Sequence, residues 1–356
     1  KNPGIPERMT KEQVERIILK RAVPHPTLEM RSVETHISWV ILTDSFVYKL
    51  KKPLRLSFLD FSTLSKREYY CEQEVLLNRR LAPGMYLGVL PVTNDSGNVT
   101  IGGKTGEVID HVVWMRRMDD SRQMDLLLAQ GEVEVGQMDR IAGILAQFHK
   151  EAQSVRVSET WKELHEEFAD ISGLSAYLEE YFKPGSGKFI EEVIHWGYGF
   201  LRGIQARIEE RKEAGYVIDG HGDLHCRNII LGDDPVIFDC IEFSEALRTL
   251  DVLNEVAFLC MDLERFGRDD LGGAFLDRYL ALTGAIENRT DRLLFLYYKL
   301  YRANVRIKVL CIQGKEGEGG SDQNERELIG KYMHLFKRYY LELKTAWDGG
   351  EGSIEQ

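Results

Sequence analysis

His221-Gly222-Asp223-Leu224-His225-Cys226-Arg227-Asn228, followed by Val236-Ile237-Phe238-Asp239, is the stretch on which the reading of this chain turns. Asp223 to Asn228 is five residues and Asn228 to Asp239 is eleven. Ile229-Ile230-Leu231 and Val236-Ile237-Phe238 read as two short buried strands joined by the turn Gly232-Asp233-Asp234-Pro235. Such a hairpin carries Asn228 and Asp239 to the same end. A carboxylate and an amide oxygen there suit hard Mg²⁺, which keeps several waters and completes its shell with phosphate oxygens. Taken alone, Asp223 in a Gly-Asp pair is an ordinary turn residue. The combination with Asn228 and Asp239 is what singles it out. His221 and His225 are four apart, but the intervening Gly-Asp and the missing Glu of an H-E-x-x-H frame argue against a zinc-binding helix.

The H-G-D-L-H-x-x-N run with I-F-D after it resembles the catalytic and metal loops of the protein-kinase-like phosphotransferases. Within them it is similar to the aminoglycoside phosphotransferase and choline kinase-like branch, which usually carries H-G-D where protein kinases carry H-R-D. Phe238-Asp239-Cys240-Ile241-Glu242-Phe243 and the run Arg248 to Leu259 look like the segment in which that family places an acidic residue, here Glu242, after the metal Asp. The same segment holds a structural Asp at a helix start, here Asp251. More closely, the whole chain resembles bacterial aminoglycoside-phosphotransferase-like proteins that are often fused to a C-terminal P-loop kinase domain. The resemblance implies an α+β, protein-kinase-like two-lobed fold, with a small antiparallel-sheet N-lobe and a larger, mostly helical C-lobe. It implies transfer of the γ-phosphoryl of ATP or GTP to a hydroxyl of a small molecule, aminoglycoside-like by family. Asp223 would be the general base, and Asn228 and Asp239 the Mg²⁺ ligands. His221 would buttress the loop through hydrogen bonds, and His225 would be structural or face the phosphates.

A kinase-like fold requires a phosphate-reaching lysine upstream. His36 to Leu42 and Ser45 to Leu50 are β-branched and aromatic runs separated by Thr43-Asp44, a hairpin signal. Lys49 then matches the strand lysine, although Lys49-Leu50-Lys51-Lys52 also reads as a solvated basic strand end. Its acidic partner falls on a helix expected from Ser62, as N-cap, to Leu81. Glu74 is the candidate and Glu68 the second. The expected nucleotide-covering loop, Ser32 to Ser38, contains no glycine, so close backbone approach to phosphates is not provided for. Its Ser and Thr hydroxyls or His36 would contact phosphate instead, or they are strand-face residues. Val112-Val113-Trp114-Met115 is an apolar strand leading into Arg116 to Asp120, a hinge whose backbone, from Met115 on, would bind adenine.

The expected division is an N-lobe over 1–115, the hinge at 116–120, a helical C-lobe over 121–347 and a flexible tail over 348–356. Within the C-lobe, 155–214 reads as a helical insertion that could form a substrate lid. Lys11 to Ala22 reads as an amphipathic helix. Gln137 to Glu151 carries Met138, Ile141, Ile144, Leu145 and Phe148 at helical spacing. After Leu247 the pattern is all helical, ending in Glu325 to Trp347, with a flexible loop at Lys315 to Ser321. Two near-misses to a P-loop, Gly97 to Thr105 and Pro184 to Phe189, lack the G-x-x-x-x-G-K-[ST] spacing and read as turns.

Length and composition agree with a two-lobed enzyme: 356 residues leave room for a sizeable core, with 43% hydrophobic and 29% charged residues. Five cysteines without a C-x-x-C fit reduced thiols and a cytoplasmic location. No apolar run reaches about 18 residues, so no transmembrane helix is expected. A net charge of −11 argues against nucleic acid and anionic membranes as partners. It is compatible with a small polar, even cationic, acceptor near Glu242, Glu245, Glu255, Asp262 and Glu264, or is ordinary solvated acidity. Two other readings stand beside the small-molecule kinase. A protein Ser/Thr kinase is disfavoured because no A-P-E motif or long activation loop follows Asp239. A catalytically weak, nucleotide-sensing pseudokinase module, regulating a fused or neighbouring P-loop kinase, draws support from the glycine-free loop.

Overall fold

Phe46, Tyr48 and Leu50 interleave with Val47, Lys49 and Lys51, the two-residue period of a strand with both faces covered. The computed structural model describes residues 9–56, 59–158, 160–316 and 323–351, and these divide into two units. In chain order the N-terminal elements are α1 (Lys11–Lys20), β1 (Met30–Glu34), β2 (Ser38–Thr43), β3 (Phe46–Lys51), α2 (Leu64–Asn78), β4 (Tyr86–Asp95), β5 (Asn98–Ile101) and β6 (Glu107–Arg116). Next come α3 (Met124–Gln130), α4 (Val135–Glu151), α5 (Trp161–Ala169), α6 (Ser175–Tyr181), α7 (Ser186–Gly203), α8 (Gln205–Glu213) and β7 (Val217–Asp219). The rest are β8 (Ile229–Ile230), β9 (Val236–Ile237), α9 (Glu245–Arg248), β10 (Thr249–Asp251), α10 (Val252–Arg265), α11 (Asp269–Thr283), α12 (Arg289–Glu316) and α13 (Gln323–Glu351).

The first unit, residues 1–127 with 227–248, is built on a six-stranded antiparallel sheet in the order β1-β2-β3-β6-β4-β5. Tyr48 and Leu50 join Ile41, Val92 and Val112 in a core closed by Val14 and Ile17 of α1. Val47 joins Cys71 and Val75 of α2 with Tyr86, Val113 and Met115. Val112 and Val113 are chain neighbours yet fall in different clusters, so the clusters lie on opposite faces of the sheet. Lys49 and Lys51 share the face of Val47, and both therefore project toward α2. The N-cap of α2 falls one residue later than the sequence reading: the Ser62 N–H and hydroxyl both turn back to Asp60, and Thr63 supplies the cap by accepting from Lys66 N.

The hairpin β8–β9 belongs to this unit. Leu231 N donates to Arg122 O at 2.8 Å, and Arg122 Nε donates to Leu231 O at 2.7 Å. Val236 and Phe238 pack on the α2-face cluster. The unit thus runs to Leu127 rather than 115 and takes in 227–248, a grouping that no reading of contiguous sequence would make.

The second unit, residues 128–226 with 249–356, is helical around α10, which is buried from Val252 to Leu263 and packs on α11, α12 and α13. A helix covered on all sides is ordinarily apolar all round, so its buried Asn254, Glu255 and Asp262 are the informative residues. Two differences from expectation occur here. Thr249–Asp251 is a strand, pairing antiparallel with β7 in the register Thr249↔Asp219 and Asp251↔Val217, because that partner lies 30 residues away and is invisible locally. Helix α13 continues to Glu351, into the stretch expected as tail, and α12 to Glu316; residues 317–322 and 352–356 lie outside the described residues. All five cysteines are buried, and none is in a disulfide. Among the described residues no helix is long and apolar enough to cross a membrane.

Asp251 caps α10 by accepting from Leu253 N at 2.8 Å and takes a bidentate bond from fully buried Arg211, at 2.7 and 2.8 Å. Arg211 also donates to Ala285 O and lies 3.3 Å from buried Asp291. Arg211→Met keeps the stem but strands Asp251 without its ion pair. A loss of about 3–5 kcal/mol is expected, read as a lower urea midpoint; an unchanged midpoint would refute the anchoring role.

Candidate active site

In the first unit, five ionised side chains form one chain of alternating charge. Lys49 Nζ lies 2.8 Å from Glu74 Oε1 and 2.9 Å from Asp239 Oδ1. Lys51 Nζ lies 2.6 Å from Glu74 Oε2 and bonds Glu242 Oε1 as well. Glu74 thus holds one lysine on each oxygen, and Glu68, the second candidate, points instead to His111 at 3.4 Å. Lys49 keeps 16% of its side chain exposed and Asp239 44%, whereas Lys51 and Glu74 are enclosed. Lys49 and Asp239 are therefore the members of this set that reach solvent. Burial works against the Glu74 anion, but Lys49 and Lys51 outweigh it and hold the carboxyl at about 2. For Glu242 burial dominates and pushes the carboxyl up, with Lys51 opposing and Glu74 adding to the rise.

The loop bearing Asp239 is fixed by its backbone. Asp239 N donates to the Tyr86 hydroxyl at 3.2 Å, Cys240 N to Asn78 Oδ1 at 2.8 Å, and Phe238 N to Asn228 O at 3.0 Å. The last bond puts Asn228 and Asp239 at one end of the β8–β9 hairpin. Asp239 has φ +63°, a left-handed conformation that Asp and Asn tolerate better than other side chains and that recurs at functional sites. One exposed carboxylate and one neighbouring amide are a donor set that fits Mg²⁺ held jointly with phosphates. No cluster of three or more His, Cys, Asp or Glu suited to a metal occurs among the described residues.

In the second unit, the run from His221 to Cys226 is suspended from α10 by two buried carboxylates. Glu255 Oε1 accepts from His221 N at 2.7 Å and Gly222 N at 2.8 Å, and its Oε2 accepts from His149 Nε2 at 2.8 Å. Seven residues on, Asp262 accepts from Cys226 N at 2.9 Å and from Arg265 Nε at 2.7 Å. Arg302 of α12 donates to Gly222 O at 3.2 Å and to Asn254 Oδ1 at 2.7 Å. Gly222 has φ +86°, which favours glycine, and a Cβ on Gly220 would meet the Glu255 oxygens at 2.9 and 3.0 Å and push the carboxylate off its bonds.

Between these anchors Asp223 presents its carboxylate, 35% exposed, with Oδ2 3.3 Å from His225 Nε2. Burial disfavours its charge, but His225 first, then Arg306 and His221, outweigh that and hold the carboxyl below the usual range. His221 is fully buried, its Nδ1 accepting from Asp223 N at 3.2 Å. The buried His225 ring meets Phe258 edge-on at 5.6 Å.

Other expected site residues are placed as follows. His36 lies exposed in the β1–β2 turn, which Thr35 closes by bonding Ser38 through both its backbone and its hydroxyl. Met115 is buried on β6, opposite Val47 and Tyr86. Just beyond it, Arg117 to Ser121 line, with Asp44, a cavity of about 490 Å³. The acidic set considered for a cationic acceptor is largely consumed internally. Glu242 is held by Lys51, Glu255 and Asp262 by the loop, and Glu264 by Lys299, Arg338 and Tyr339, and Glu245 lies at the surface. Sequence does not single out Arg302, offers Lys51 only as a neighbour of Lys49, and offers Glu255 and Asp262 only as acidity near an acceptor, not as anchors of the loop. For Glu255 and Asp262 a signal existed: two carboxylates seven apart in an otherwise apolar helix share one face.

No family model matches the chain. An uncharacterized protein of Mycobacterium tuberculosis is 35% identical over 320 residues, which cover 87% of this chain and 60% of that protein; the chain thus spans about 60% of the length of the curated relatives it matches. A choline/ethanolamine kinase family protein from Mesorhizobium loti superposes with a TM-score of 0.54 at 12% identity, covering 94% of this chain and 99% of that one. An aminoglycoside phosphotransferase from Alicyclobacillus acidocaldarius gives 0.50 at 14% identity, covering 99% of each. The antiparallel sheet with its Lys49–Glu74 pair, the helical unit and these superpositions agree: the chain has the protein-kinase-like fold that choline/ethanolamine kinases and aminoglycoside phosphotransferases share.

Proposed function

We propose that this protein is a Mg²⁺-dependent phosphotransferase that moves the γ-phosphoryl group of ATP or GTP to a hydroxyl of a small molecule. The observation that carries it is the position of Lys49, bonded at once to the helix carboxylate Glu74 and to the exposed Asp239. Asn228 and Asp239 would hold Mg²⁺, which when bound neutralises phosphate charge. Lys49 would contact the α and β phosphates, and the segment after Met115 would receive the base. Asp223 would accept the hydrogen bond of the acceptor hydroxyl and take its proton as the new O–P bond forms and the β–γ bridging bond breaks. The acceptor is proposed as a small polar alcohol of the aminoglycoside or amino-alcohol type, with cytoplasmic location as the expected setting.

The test is nucleotide consumption with ATP and GTP across aminoglycosides, amino alcohols and neutral polyols, with and without EDTA. Acceptor-stimulated turnover that disappears on chelation is the expected result. Nucleotide binding without turnover on any acceptor would favour the sensing module instead, a reading that rests on the glycine-free β1–β2 turn.

A further inference from the structure

Lys51 has no part in the mechanism above, yet it is among the most enclosed charges in the protein, 1% exposed and lying 4.9 Å from the centre of the Phe61 ring. Its two partners come from distant points in the chain, Glu74 on α2 and Glu242 three residues after Asp239. The contacts close a ring: Asp239 to Lys49, Lys49 to Glu74, Glu74 to Lys51, Lys51 to Glu242, and Glu242 back to Asp239 through two residues of backbone. If Lys49 turns to phosphate and Asp239 to metal, both give up their bond to each other. The end of α2 stays tied to the Asp239 loop by Cys240 N on Asn78 Oδ1, but Glu74 itself, a turn earlier on the helix, then keeps its link to the loop only through Lys51.

We propose that Lys51 is a positioning residue for the nucleotide site: by bridging Glu74 to Glu242 it keeps α2 and the Asp239 loop in register while Lys49 is handed from Asp239 to the phosphates. The inference rests on the phosphotransferase reading and deepens it. A site so braced stands assembled before nucleotide arrives, because α2 cannot swing Glu74 out without breaking a second, fully buried ion pair. Lys51→Met retains the apolar stem on Phe61 and removes the bridge; Lys51→Arg restores a charge able to span it.

The experiment is titration of the full chain with a fluorescent ATP analogue at saturating Mg²⁺, well below the melting temperature of each variant. Wild type should bind, Lys51→Met should bind at least tenfold more weakly, and Lys51→Arg, whose larger forked head restores the charge but not the fit, should bind more tightly than Lys51→Met. The double variant Lys51→Met/Glu242→Gln removes the stranded carboxylate without restoring the bridge, and should stay weak. A lysine that merely neutralises buried charge would lower the melting temperature and leave the affinity of the folded protein alone. Wild-type affinity in folded Lys51→Met, or recovery in the double variant, would therefore overturn the proposal. If Lys51→Met does not fold, Glu242→Ala cuts the same bridge from the loop side, with the same tenfold loss expected and wild-type affinity again fatal. Absence of nucleotide binding by the wild type itself would sink the phosphotransferase reading, and this inference with it.

Discussion

Asp223→Asn lowers acceptor-dependent turnover by about 10²–10⁴-fold, the usual share of a general base, while nucleotide affinity stays near that of wild type. Asn has the shape of Asp and can still accept a hydrogen bond, but it cannot take the acceptor proton. The loop does not depend on this side chain for its conformation: Glu255 holds His221 and Gly222, Asp262 holds Cys226, and Arg302 holds the Gly222 carbonyl. Asp223 is also about a third exposed, so losing its charge near His225 costs little stability after solvent screening. Lost activity in a folded, nucleotide-binding variant is therefore a statement about chemistry. The depressed carboxyl adds a condition on pH. Asp223 ionises below its ordinary value of about 4, so its protonation contributes no acidic limb to the rate profile above roughly that pH. Turnover by Asp223→Asn equal to wild type would remove Asp223 from the reaction.

What could be read from sequence was what is local. The hairpin bearing Asn228 and Asp239 was legible because two apolar triplets flank a Gly-Asp-Asp-Pro turn, but its register was not: that turn would pair Leu231 with Val236, whereas Ile229 pairs with Ile237 and Leu231 bonds Arg122 instead. Lys49 was legible as one of three neighbouring lysines, and its partner Glu74 as one of two. Choosing among them needs the sheet. Alternation puts Lys49 and Lys51 on the α2 face, while Lys52 goes to Glu34 at 2.8 Å, so period two was a usable signal for the second lysine. The run Thr249–Asp251 and the grouping of residues 227–248 with the N-terminal sheet were not legible, since both depend on partners far along the chain. The acidity after residue 240 was misleading for a related reason: composition counts carboxylates without showing that Glu242, Glu255, Asp262 and Glu264 are already occupied by the protein's own donors.

Glu255→Ala should be the most damaging single substitution outside the reacting groups. Its carboxylate, 1% exposed, receives three donors: two successive backbone N–H groups of the His221-Gly222 turn and the ring of His149, whose other nitrogen lies 2.6 Å from the Tyr279 hydroxyl. Alanine leaves all three buried and unmet, an expected loss of about 3–5 kcal/mol. Protein that still folds should turn over at least about 10²-fold more slowly, because the residue after Gly222 is Asp223 and small displacements of a catalytic group are costly. Glu255→Gln separates the two effects, since an amide oxygen can still take both backbone N–H groups and should restore much of the turnover. Acid titration tests the charge itself. Burial opposes the Glu255 anion, but His149, then His221 and the Gly222 N–H, hold the carboxyl at about 2, below an ordinary glutamate near 4.3. A depressed carboxyl stabilises the fold above its unfolded value and loses that contribution as pH falls through the folded one. Wild type should therefore lose roughly 3 kcal/mol between about pH 4 and pH 2 through this group, and Glu255→Gln should lack that part of the acid transition. Parallel acid unfolding of the two proteins would show that the loop is not hung on a charged Glu255.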